Sequence, residues 1–212
     1  MNNLLNELNS LKNNLDNLPI KDLSNLDLSK TDLFIVDINN GFAKNGALYS
    51  PRIEKLIEPI SNFTKLISKK VRRTIAFTDF HTKDSIELLS YPEHCIENTV
   101  ECEIVDELKS IENITVINKN STNGFFALDN LDFNNVDNII IIGDCTDICI
   151  YQLAITLKSY FNQNNINKNI IVPMNLVDTY NIDNIHPAEL LNTVFFNSMI
   201  QNGIEVVKEI KY

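Results

Sequence analysis

Residues 138–160, NIIIIGDCTDICIYQLAITLKSY, constrain the fold of this chain more than any other stretch. Four consecutive isoleucines stop at Gly143, a few small or polar residues follow, and Cys149 opens a long amphipathic segment. A short β-branched run bounded by glycine reads as a strand, and the segment after it as a helix entered through a tight turn. A strand that is apolar on both faces needs helices above and below it, as in a parallel sheet. The Cys149 thiol then stands at a helix entrance, where unpaired N–H groups and the dipole favour an anion and lower the pKa from about 8.5. Such a cysteine is either an activated nucleophile or a buried structural residue, and the remainder of the chain has to distinguish the two.

The alternation recurs. Apolar runs at 32–38, 74–78, 114–118, 139–142, 169–172 and 204–208 read as six strands. Between them, helical periodicity is expected over 51–69, where Pro59 should kink the helix or delay its start, over 101–111, more weakly over 125–135, and over 149–161. A last helix is expected from His186-Pro187 to Gly203, with proline at the first helical position and glycine past the end. Leucines 4, 5, 8, 11, 15 and 18 add an amphipathic helix over 3–17, ended by Pro19. The pattern predicts an α/β fold: a three-layer sandwich with a six-stranded, mostly parallel sheet flanked by helices. An N-terminal helical extension over 1–30 is expected to pack on a single domain over 31–212.

Charge and composition narrow the function. A net charge of -10 argues against nucleic acid, whose phosphates need a basic surface. No apolar run reaches the ~20 residues of a membrane span, and the N-terminus has no signal pattern, so a cytoplasmic protein without a membrane partner is expected. Four cysteines, at 95, 102, 145 and 149, do not make a disulfide framework and should stay reduced. The five glycines form no phosphate loop or dinucleotide fingerprint, so no organic cofactor is expected.

In open α/β sheets, ligands bind beyond the carboxyl ends of the strands. Asp37, Asp79, His81, Lys119 and Cys149 all fall at or just past expected strand ends. Cys149 with Asp37 as base and Lys119 as electrostatic partner would make a nucleophilic set, because a thiol at neutral pH needs a nearby base or cation. A carboxyl group is ordinarily too acidic for that task, but burial and a neighbouring anion raise its pKa. Taken singly, a strand-end aspartate also caps turns and a strand-end lysine is also simply solvated. Asp79, His81 and His94 have the donor types of a divalent metal site with open positions. His186 is expected to cap or pack near the rim.

These residues resemble the isochorismatase-like cysteine hydrolases and, among them, the nicotinamidase (pyrazinamidase) branch. Residues 143–149, GDCTDIC, are similar to the family's Gly-x-x-Thr-Asp-x-Cys nucleophile turn. Asp37 in VDINNGF and Lys119 in VINKNSTNGF match its strand-end Asp and Lys, and the likeness covers roughly residues 32–203. Asp79-Phe80-His81 and Pro92-Glu93-His94-Cys95 resemble the Asp-x-His and Pro-x-His-Cys elements that hold the metal in nicotinamidases. The resemblance implies a catalytic triad of Asp37, Lys119 and Cys149, and a divalent metal (zinc first, iron or manganese otherwise) on Asp79, His81 and His94. It also implies a cis peptide between Asp144 and Cys145, and an oxyanion hole from the N–H groups of Cys145 and Cys149. Phe42 and Tyr91 would flank a flat substrate ring. The implied reaction is hydrolysis of nicotinamide to nicotinate and ammonia through a thioester, a step of NAD salvage. Another small amide or ureido compound, or a catalytically silent binding domain of the same fold, are the alternatives, and a homo-oligomer is the family's habit. The sequence departs from the family pattern at Asn39 and Gly41, where Gln and a second Asp are usual, at Phe80 in place of Trp, and at Lys83-Asp84-Ser85, where a further histidine is common.

Overall fold

The structure, a computed structural model, describes residues 2–129 and 132–211. In chain order the elements are α1 (Asn2–Asp16), β1 (Ile20–Asp22), β2 (Thr31–Val36), α2 (Asn40–Ala43), α3 (Pro51–Glu54), α4 (Ile57–Ile67) and β3 (Arg73–Asp79). They continue with α5 (Asp106–Lys109), β4 (Ile114–Lys119), β5 (Asn138–Gly143), α6 (Tyr151–Gln163), β6 (Asn169–Pro173), α7 (Ala188–Gln201), β7 (Glu205–Val207) and β8 (Glu209–Lys211). Six strands form one sheet in the order β4-β3-β2-β5-β6-β7, every neighbouring pair parallel. The α/β sandwich expected from the alternation is thus the fold.

Period-two geometry explains the apolar runs. In β2, Leu33 and Ile35 join one core cluster and Phe34 and Val36 the other, one on each face of the sheet. The isoleucines of β5 divide the same way, and all four are fully buried. Each such side chain contributes roughly 1.5–3 kcal/mol relative to exposure. Helix α4 covers the first face and α6 and α7 the second. The chain winds outward from β2 through β3 to β4, then returns to place β5 on the other side of β2. The strand order reverses between β2 and β5, which opens a crevice at their carboxyl ends.

Several local expectations need correction. The helix expected over 51–69 is two helices, and Pro59 sits in the first turn of α4, where its missing N–H costs nothing. The helix expected over 101–111 shrinks to a 3-10 turn at Val100–Cys102 and the four residues of α5. The intervening backbone is drawn to the rim instead: Val105 N–H donates to Ile38 and Asn40 N–H to Glu103, and Asn39 bridges Ile104. The weak helix over 125–135 is only a 3-10 turn, Gly124–Ala127, among the described residues, and Asn130 and Leu131 lie outside them. The Asp132 side chain there accepts the Asn134 N–H, a local bond that competes with helix. Pro187 precedes α7 rather than beginning it, and the Asn181 side chain takes the Ala188 N–H.

β1 and β8 form a separate parallel pair that the sequence pattern does not announce. Leu15 of α1 is buried beside Phe196 in the second core cluster, whereas Leu4 and Leu5 are exposed. No helix among the described residues is long and apolar enough to cross a membrane.

Candidate active site

The carboxyl ends of β2, β3, β4 and β5 carry the reactive side chains. Asp37 follows β2 with a positive φ of 56°. Asp79 and Lys119 end β3 and β4 and are register partners. Cys149 lies in a π-helical turn, Thr146–Ile150, that feeds α6. Such widened turns often occur at functional sites because they re-aim a side chain. Gly143 brings β5 into this arrangement. Its φ is +121°, and a Cβ there would overlap the Val36 carbonyl, so only glycine fits. The next peptide, Asp144–Cys145, is cis, as the resemblance implies.

Lys119 is the hub. Its Nζ lies 2.9 Å from Asp37 Oδ2 and 3.9 Å from Cys149 Sγ, and it donates a short bond to Asp79 Oδ1. All four residues are buried. The other Asp37 oxygen accepts the Asp79 N–H at 3.1 Å. The three expected triad residues are therefore in contact through one ammonium group.

The charges differ in state. Burial raises the Asp37 carboxyl to about 7, the Asp79 charge adds to the rise, and Lys119 limits it. Burial acts to raise Asp79 too, but Lys119 and the nearby His81 and His94 imidazoles override it and hold that carboxyl below the ordinary range. Burial would lower Lys119, yet Asp37 and Asp79 raise it well above its usual value. The Cys149 thiol is pushed well up by burial, against the pull of Lys119, with Asp37 and Asp79 adding to the rise. This runs against the helix-entrance expectation of a lowered pKa: Cys149 stands at the entrance, but its burial shifts the thiol upward. Asp144, also buried, is raised well above the carboxylate range by desolvation and then by Asp37.

Beside this set, Asp79, His81 and His94 converge as expected, and Glu87 joins them. One donor atom from each lies within 4.8 Å of the others. Asp79 Oδ2 is 3.6 Å from His94 Nε2 and 3.7 Å from His81 Nε2, and His81 Nε2 is 3.8 Å from Glu87 Oε1. His94 Nδ1 donates to the Pro92 carbonyl at 2.7 Å, which leaves the Nε2 lone pair for the cluster. His81 Nδ1 meets Asn120 Oδ1 at 3.1 Å. His81 Nε2 and Glu87 Oε1 are buried with no hydrogen-bond partner, as ligand atoms facing a cation would be. The donor set of two imidazoles and two carboxylates fits a divalent metal. Glu87 lies in a single 3-10 turn, Ile86–Leu89, too short to show a periodicity in the sequence.

Both sets open into one cavity of about 390 Å³, within the usual size for a small-molecule site. Asp37, Asp79, His94, Asp144, Cys145 and Cys149 line it. Phe42 and Tyr91 line it too, their ring centroids 5.6 and 6.1 Å from that of His94. Tyr180 adds an aromatic wall not expected from the sequence. At Gly41, where the family pattern has Asp, a Cβ would stand 2.8 Å from Cys95 Sγ, so the buried Cys95 occupies the space a side chain would need.

Comparison with known proteins bears on the family and the fold. The model of the isochorismatase domain matches residues 31–206. Nicotinamidase 1 of Arabidopsis thaliana is 27% identical over 215 residues, covering 87% of this chain and 88% of that protein. Among solved structures, the pyrazinamidase of Pyrococcus horikoshii in complex with zinc superposes with a TM-score of 0.67 at 23% identity, over 84% of this chain and 98% of that one. N-carbamoylsarcosine amidase from Thermoplasma acidophilum does so with a TM-score of 0.67 at 22% identity, over 84% and 95%. These two likenesses show the fold, which is shared by hydrolases of different substrates.

Proposed function

The chain belongs to the isochorismatase family, and we propose that within it this protein is a metal-assisted cysteine amidohydrolase that converts nicotinamide to nicotinate and ammonia. The observation that carries the reading is the meeting, in one cavity, of the Lys119-linked Asp37 and Cys149 with the Asp79, His81, Glu87 and His94 cluster. The curated relative at 27% identity is a nicotinamidase, which favours this substrate.

The proposed chemistry follows from the states of the groups. Asp37, raised to about 7, is a far better base near neutrality than an ordinary carboxylate. It takes the Cys149 proton as the sulfur attacks the amide carbon, and Lys119 stabilises the anion that develops. The N–H groups of Cys145 and Cys149 hold the resulting oxyanion, and one such donor typically contributes about 10²–10³ in rate. Asp37 returns its proton to the nitrogen, the C–N bond breaks, ammonia departs and a thioester remains. Water, giving a proton to Asp37, then attacks the thioester carbon. The C–S bond breaks, the proton on Asp37 returns to the Cys149 sulfur, and the product leaves as the carboxylic acid, which loses its own proton to solvent. A divalent metal on Asp79, His81, Glu87 and His94 would orient the substrate by binding its ring nitrogen. Zinc heads the list of candidates, since a pyrazinamidase of this fold is in complex with it. Phe42 and Tyr91 bound the ring by apolar and aromatic contact.

The test is ammonia release from nicotinamide, pyrazinamide, benzamide and ureido compounds by the metal-loaded protein, with and without chelator. Turnover of nicotinamide that falls on chelation is expected. Turnover of a ureido or aliphatic amide, with none of nicotinamide, would overturn the substrate assignment.

A further inference from the structure

The loop between β6 and α7 forms part of the cavity wall, and polar bonds close it on every side. The Thr146 N–H donates to the Asp178 carbonyl at 3.1 Å, and Gly143 bridges Val177, so this segment runs beside the nucleophile turn. Arg52 donates to Asp178 Oδ1 at 2.7 Å and to the Thr179 carbonyl at 3.1 Å. Ile182 and His186 exchange backbone bonds of 3.0 and 2.8 Å that close the far end.

Within the loop, the His186 ring is held on three sides. Its Nε2 lies 2.8 Å from Asp147 Oδ2, and Asp147 belongs to the nucleophile turn, two residues before Cys149. Its Nδ1 lies 2.9 Å from the Tyr180 carbonyl. Its face lies on the Tyr180 ring, with centroids 3.7 Å apart and planes 16° from parallel. The other Asp147 oxygen accepts the Thr179 hydroxyl at 2.6 Å. A long aromatic side chain on a loop would otherwise sample several rotamers, and ordering it costs free energy. Here a stacked, doubly hydrogen-bonded ring behind it restricts Tyr180 to one position. That position lies on the wall of the cavity that Cys145 and Cys149 also line.

We propose that His186 is a positioning residue that fixes Tyr180 as a substrate-binding wall on the nucleophile-turn side of the cavity, complementing Phe42 and Tyr91 on the His94 side. This rests on reading the cavity as the substrate site. His186 acts through Tyr180, and Asp147 ties both to the turn that carries Cys149. The wall limits the space in which an aromatic ring can lie without touching the groups that do the chemistry.

The test is a double-mutant cycle with His186→Ala and Tyr180→Ala on the metal-loaded protein. Each single variant should raise KM for the preferred amide about tenfold, with kcat within about threefold of wild type. The double variant should be no worse than Tyr180→Ala alone, because the two side chains act as one unit. Multiplying effects, an unchanged KM, or a loss confined to kcat would overturn the proposal. Labelling of Cys149 by N-benzylmaleimide, followed by peptide mass spectrometry, reads the same wall without turnover. Both single variants and the double should be labelled several-fold faster than wild type and at similar rates, and unchanged labelling would count against the wall. Absence of nicotinamide turnover in wild type would sink the substrate assignment alone, and the labelling result then decides this proposal. If His186→Ala does not fold, His186→Phe, which keeps the stack and removes both hydrogen bonds, should show a KM between those of wild type and Tyr180→Ala. A KM outside that interval would refute the clamp.

Discussion

Replacing Lys119 with methionine should destabilise the fold severely, and more so at neutral than at acid pH. Methionine has similar length and leaves little cavity, so the loss isolates the charge. Lys119 is buried between two carboxylates, Asp37 at 2.9 Å and Asp79 closer still. Asp79 is held below the ordinary range chiefly because this cation overrides its burial. Without the cation, Asp79 keeps its burial and loses the charge that chiefly offsets it, so its carboxyl rises above the unfolded value of about 3.9. Leaving one partner of a buried ion pair uncompensated costs roughly 3–5 kcal/mol. The sign of the pH effect follows. In the wild type, the depressed Asp79 contributes stability that is present above about pH 4 and lost as the pH falls. In the variant, the raised carboxyl loses stability as the pH rises above about 4. The gap between the two proteins therefore widens from pH 5 to pH 7. Urea unfolding in the presence of chelator measures it, since a divalent ion on Asp79 would replace part of the missing charge. A difference below about 1 kcal/mol at pH 7, or one no larger at pH 7 than at pH 5, refutes the view of Lys119 as the hub.

Cys149→Ala should abolish ammonia release while leaving urea stability within about 1 kcal/mol, since the thiol is small. Retained turnover would remove Cys149 from the mechanism. Alkylation of Cys149 by iodoacetamide should keep accelerating past pH 8.5, because burial raises the thiol and only the thiolate reacts. A plateau below pH 8 would show that the helix entrance prevails after all. Glu87→Gln should weaken metal binding roughly 10–100-fold by equilibrium dialysis, and His94→Ala should do so at least as strongly. Unchanged affinity in Glu87→Gln would exclude it as a ligand. Gly143→Ala should lower stability by several kcal/mol, from positive φ and from overlap with the Val36 carbonyl, and a variant that unfolds like wild type would contradict the β2–β5 geometry.

The strand-end residues are legible in the sequence because a run apolar on both faces marks a covered parallel strand, and such strands end on one rim. The order of strands is another matter. Lys119 reaches Asp79 because β4 pairs with β3 in the register that sets these two residues side by side, and a list of strands does not contain that pairing. Glu87 is invisible for a different reason. It sits in the 3-10 turn Ile86–Leu89, too short to show a period, and its side chain accepts the Thr122 N–H at 2.9 Å. The short helix α5 is lost to sequence periodicity because backbone bonds from Val105 and Asn40 draw the preceding segment to the rim. For Cys149, position is legible and depth is not. The pattern places the thiol at a helix entrance, but only packing shows that it is buried enough for desolvation to set the sign of its shift.

The same packing resolves why two aspartates at adjacent strand ends can do different work. Asp37 and Asp79 are both buried, and both touch Lys119. They differ in what else surrounds them. Asp79 also faces the His81 and His94 imidazoles at 3.7 and 3.6 Å, which favour its charge, whereas Asp37 has the Asp79 charge beside it and one oxygen without a hydrogen bond. Two carboxyl groups sharing one cation then separate: one is held as a permanent anion, the other lies near neutrality. A permanent anion suits a metal ligand, and a carboxyl near 7 suits a group that must take and return a proton. A divalent ion on Asp79 would offset the negative charge that raises Asp37 and draw its pKa downward. Metal loading should therefore move the acid limb of the pH–rate profile to lower pH as well as orient the substrate, so that binding at one set of residues sets the working range of the other.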